Sequence, residues 1–113
     1  MTKAQDMTRI TELAQLMLDH RLGQLRTTRV ELDRSKSQLQ AINAAAEPAN
    51  LPLVASQTVG LTYQRWADVR RSDLNLVISR QTADWIGARE AAGIAFGRLH
   101  ALRGLVAKLE KRR

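Results

Sequence analysis

The chain has no cysteine, two prolines and four aromatic residues in 113. Without cysteine there are no disulfides and no thiolate metal sites. No run of about 18 apolar residues occurs, so no membrane-spanning helix is expected. The N-terminal stretch "MTKAQDMTRITELAQLML" contains acidic residues and lacks the apolar core of a signal peptide, which points to an intracellular protein. The four rings, Tyr63, Trp66, Trp85 and Phe96, are too few for a compact globular core of this length. Scarce rings and prolines beside frequent Ala, Leu, Arg and Gln favour long helices packed along a seam.

Charge is abundant and uneven. The net charge is +7, and residues 51–113 carry eleven basic side chains against five acidic ones. From Arg98 onward six basic residues face only Glu110. Such an end can attract nucleic acid, an anionic membrane or an acidic protein surface. It is equally a solvated helix end with cations well placed against its C-terminal dipole.

Read in sevens, the first half places Ala4, Thr11, Leu18, Leu25, Leu32, Leu39 and Ala46 at one heptad position. Met7, Ala14, Arg21, Thr28, Ser35 and Ile42 follow three residues on, which makes a seam. This predicts a helix from about 2 to 46. The segment "EPANLPLVASQTVGL", with Pro48 and Pro52, predicts a loop over about 47–61. Ser56, Thr58 and Thr62 are candidate caps for a second helix over about 62–111. There Leu74, Ile78, Gln81, Trp85, Ala88, Ala92, Ala95, Leu99, Leu102, Val106 and Leu109 alternate by four and three. Neither helix can bury its stripe alone, so the expected fold is all-α, a single domain in which two long helices form an antiparallel coiled-coil hairpin.

Two features lie off this seam. Gly93, Gly97 and Gly104 gather with His100 on one line, roughly a quarter turn from the seam at about 100° per residue. A glycine line can admit another protein's surface, or it can be tolerated drift at about 1 kcal/mol per residue. Trp66, Val69 and Leu76, with Asp73 between them, form a second line flanked by Arg65, Arg70 and Arg80. Exposed, this is the makings of a protein-binding patch. The alternative is that Leu51, Leu53 and Val54 fold back over Trp66.

Catalytic patterns are missing. His20 and His100 belong to no ligand pair, so no metal is expected. The glycines lack the ending of a phosphate-binding loop, and scattered carboxylates have basic neighbours. A two-helix rod encloses no pocket in which to dry a reacting group. The expectation is a non-enzymatic protein without cofactor.

Residues 63–112, "YQRWADVRRSDLNLVISRQTADWIGAREAAGIAFGRLHALRGLVAKLEKR", resemble the second helix of the FliJ/YscO family of flagellar and type III secretion export proteins. The resemblance rests on the Trp66 start, the Leu74/Ile78 spacing, Gln81 with Trp85 after it, and the Ala-Arg-Glu run into "FGRLHALRGLVAKLEKR". The first half is similar only in being a Leu- and Arg-rich heptad helix. The resemblance implies a cytoplasmic stalk at the base of a membrane export apparatus. Such a stalk inserts into the export ATPase hexamer and contacts the cytoplasmic domain of the export gate, with export chaperones as further partners. It implies neither nucleic-acid binding nor membrane insertion. ATPase contact would fall at the joined helix ends, 2–18 and 99–113, with Leu99, Arg103, Val106, Lys108, Lys111 and Arg112 as candidates. Loose alignment of the gate contact gives Arg70, Leu74, Val77, Ile78 and Gln81. Because the seam claims three of these, the outward set Trp66, Val69, Arg70, Asp73, Leu76 and Val77 is preferred. Two other classes remain in view: a basic coiled coil that binds nucleic acid, and a structural homo-oligomeric coiled coil.

Overall fold

The computed structural model describes residues 2–45 and 53–112; of residues 53–58 only the helical backbone is described. The fold is all-α. Helix α1 spans Lys3–Ala45 and helix α2 spans Leu53–Lys111, and they pair antiparallel as a hairpin. Both proline positions lie outside the described residues.

Helix α1 ends where the heptad pattern does. Helix α2 begins well before the expected start near 62, so the predicted loop is corrected: residues 53–61 are helical, and Ser56, Thr58 and Thr62 are interior residues rather than caps. The physical reason is that serine, threonine and glycine only weaken a helix. Gly60 costs at most about 1 kcal/mol against alanine and adopts no positive φ. Proline is the residue that removes a backbone donor.

At the other end Thr2 opens α1 with a capping box. The Gln5 amide donates to Thr2 Oγ1 and the Thr2 amide donates to Gln5 Oε1, each at 3.3 Å. Two donors that a helix start leaves orphaned are thereby satisfied.

The chain divides into two compact units, each made of both helices. One unit comprises Met1–Arg29 with Asp84–Arg113. Leu18, Ala95 and Leu99 form its buried cluster, with Ala14 against it. Arg103 donates to Gln15 Oε1 at 2.8 Å, and the Arg29 guanidinium lies 5.4 Å from the centre of the Trp85 ring. Positions rise along α1 as they fall along α2, which fixes the antiparallel sense. Ala95 and Leu99 of α2, with Ala14 of α1, cover Leu18.

The other unit comprises Val30–Ala83. Leu32, at 1% exposure, is the largest fully buried side chain among the described residues, and Ile42, Ala67 and Leu74 form a cluster with Leu39 and Tyr63 packed on it. The Tyr63 hydroxyl donates to the Ile42 carbonyl at 2.9 Å. That carbonyl is in the last described turn of α1, so the bond ties the end of α1 to α2. Arg71 sits at a seam position and satisfies its guanidinium on Asn43 Oδ1 at 2.8 Å and Asp68 Oδ1 at 3.1 Å.

Every predicted seam position among the described residues is buried or half-buried, including all eleven on α2. The seam also runs further toward the start of α2, through Arg71, Ala67 and Tyr63. Sequence reading stopped at Leu74 because an arginine and an alanine do not register as an apolar stripe.

Candidate interaction surfaces

On α2, Trp66, Val69, Arg70, Asp73, Leu76 and Val77 recur at intervals of three and four, and all are exposed. Trp66 keeps 54% of its surface open and Leu76 keeps 61%. Leu74 is buried, and Ile78 and Gln81 are half-buried in the seam, so the outward set is the one available to a partner. The Trp66 ring is nevertheless held. It packs at 5.6 Å, tilted 46°, on Tyr63, whose hydroxyl is bound to α1. A large apolar ring fixed in place on an exposed face loses little freedom when it binds. Leu51, and the side chains of Leu53 and Val54, considered as a cover for it, lie outside the described residues. Tyr63 is the member of this surface that sequence reading missed; its spacing of four from Ala67 was the available signal.

The basic candidates belong to the unit that contains both helix ends. Arg103, Lys108, Lys111 and Arg112 are exposed, and Val106 is half-buried. Leu99 is corrected: it is 2% exposed, packed between Leu18 and Ala95, and offers no side-chain surface to a partner. Its heptad position, which placed it in the seam, decides against it as a contact. Beside Val106 and Leu109 a groove of about 790 Å³ opens, lined on α1 by Met7, Thr8, Arg9 and Glu12. The seam residues there, Ala4, Met7 and Thr11, are small or flexible, so the helices meet without filling the space.

Two arginines lie against Trp85: Arg29 at 5.4 Å and Arg89 at 5.6 Å from the ring centre. Each contact contributes about 0.5–1 kcal/mol. They explain how a half-buried tryptophan is accommodated at a seam position beside alanines.

The glycine line is exposed. A Cβ built on Gly93, Gly97 or Gly104 meets nothing within 4 Å, so no close approach inside this chain requires these residues to be glycine. Their heptad positions put them on the outer face of α2, more nearly opposite the seam than a quarter turn from it.

Among the described residues no group of three or more His, Cys, Asp or Glu could hold a metal ion, and no helix is long and apolar enough to cross a membrane. Comparison with family models, with curated proteins and with solved structures gives no match.

Proposed function

We propose that this chain is a non-enzymatic stalk of a bacterial type III protein export apparatus, joining an export ATPase hexamer to the cytoplasmic domain of an export gate. The observation that carries the reading is an antiparallel two-helix fold whose α2 residues 63–112 resemble the FliJ/YscO second helix. The division of its exposed chemistry agrees. Residues 1–29 and 84–113 hold twelve basic side chains against six acidic ones, and residues 30–83 hold six against five. The excess cations thus belong to the unit with the helix ends, where an acidic ring lumen would attract them. The apolar patch centred on Trp66 belongs to the nearly neutral unit and serves the gate.

In this reading Arg103, Lys108, Lys111 and Arg112 meet the ATPase by charge, with Val106 at the groove wall. Trp66, Val69, Leu76 and Val77 meet the gate by apolar contact, with Arg70 and Asp73 setting orientation. The protein would work in the cytoplasm at the base of the apparatus.

Two binding measurements test the assignment. Trp66→Ala with Leu76→Ala is expected to weaken binding to the gate domain by about tenfold or more with helicity unchanged. Lys108→Glu, Lys111→Glu and Arg112→Glu together are expected to abolish ATPase binding and leave gate binding intact. Both variants binding like the parent would contradict the assignment. Retention on DNA at low salt, weakening steeply as salt rises, would favour the nucleic-acid reading instead.

A further inference from the structure

In the unit with the helix ends, the two flanks of the seam differ. One flank carries the polar cross-links between the helices: Gln15 to Arg103, and Arg29 to the Trp85 ring, with Arg89 of α2 also against that ring. The heptad places Ile10, Leu13 and Met17 of α1 and Ile94 and Leu105 of α2 on the other flank. All five are exposed, Leu13 at 65% and Ile94 at 57%. The α1 line continues through His20, Gln24 and Thr27, and the α2 line runs back through Ala91 to Gly87. Between these small and polar residues lies a shallow groove of about 690 Å³. From Ile10 to Thr27 the flank runs about 26 Å at 1.5 Å per residue, the length of a helix of about seventeen residues.

We propose that this flank, the Ile10–Leu13–Met17 and Ile94–Leu105 stripe with the groove beside Gly87 and Ala91, docks one acidic amphipathic helix of a partner protein. An apolar stripe that passes into a groove walled by glycine and alanine accepts a helix laid along it, knobs into a ready-made trough. Charge selects the partner's sign. Along the two lines, within this unit, Lys3, Arg98, Lys108 and Arg112 are opposed by Asp6 and Asp84, which leaves a net positive charge. A second copy of this chain would bring the same cations together, and like charges across an interface disfavour it. A lipid surface would meet the apolar residues but leave the groove unfilled. The inference does not rest on the stalk assignment, and Leu13, Ile94 and Gly87 belong to neither surface invoked there.

The test uses the full chain and a labelled synthetic peptide of about eighteen residues, with leucine at three–four spacing and glutamate elsewhere. Fluorescence anisotropy is expected to show binding that weakens about tenfold or more in the Leu13→Gln, Ile94→Gln variant. Phe96→Gln, across the seam, is expected to leave it within about twofold. A peptide with lysine in place of glutamate should not bind. If the double variant loses helicity, Gly87→Gln serves instead: its side chain enters open space within the groove and should block the peptide. No binding of the acidic peptide at roughly 100 µM would overturn the proposal. So would equal binding by the variants, or preference for the lysine peptide. Leu13- and Ile94-dependent adsorption to phosphatidylglycerol vesicles without peptide binding would overturn it in favour of a membrane. A dimer in sedimentation that the same variant dissolves would overturn it in favour of self-association.

Discussion

At Gln81 the seam keeps a polar side chain whose Oε1 is buried without a hydrogen-bond partner. An unsatisfied buried acceptor costs about 1–3 kcal/mol, and a polar residue at one seam position trades stability for register. Gln81→Leu is therefore expected to raise stability by about 1 kcal/mol, or about 4 °C in Tm, measured by thermal unfolding. A lower Tm would show that the amide is satisfied in solution. Leu32 gives the opposite sign. At 1% exposure it fills space that nothing else fills, and Leu32→Ala is expected to cost about 2–5 kcal/mol in denaturant unfolding. Leu13→Ala, at an open position, is expected to stay within about 0.5 kcal/mol of the parent. If the two substitutions cost the same, the seam does not hold the fold together.

At the scale of the helix, the three outer glycines of α2 invite a direct measurement. Their φ values are ordinary and a Cβ meets nothing within 4 Å, so alanine has only helix propensity to add. Replacing Gly93, Gly97 and Gly104 by alanine is expected to stabilise the chain by about 0.5–1 kcal/mol per site, read in urea unfolding. No gain, or a loss, would mean that α2 is not helical through these positions. Much of each helix was legible in the sequence. The seam positions named from the heptads are all covered where described, because a four–three repeat needs only apolarity and spacing. Tyr63, Ala67 and Arg71 were missed because they do not read as an apolar stripe. The start of α2 was not legible, because Ser56 and Gly60 suit a turn and a tolerated helix interior alike. The capping box of Thr2 and Gln5 could have been read from the threonine–glutamine spacing. Of the candidate contacts, the outward Trp66 patch followed from angle alone. Leu99 was misassigned because a basic terminal region was taken whole, without asking which of its residues the seam had already claimed.

At the scale of the whole molecule, the two units divide the chemistry: nearly all of the net charge in one, a positioned tryptophan patch in the other. Among the described residues sixteen large apolar side chains are exposed while eight apolar residues are buried. Exposed apolar side chains in this number are what the proposed adaptor role would use. The most direct test is to mix the chain with the export ATPase and the gate domain from the same organism and follow all three by sedimentation. The stalk account predicts a ternary complex. Lys108→Glu, Lys111→Glu and Arg112→Glu together should release the ATPase alone, and Trp66→Ala with Leu76→Ala should release the gate domain alone. Failure of the unmodified chain to bind either partner would contradict it.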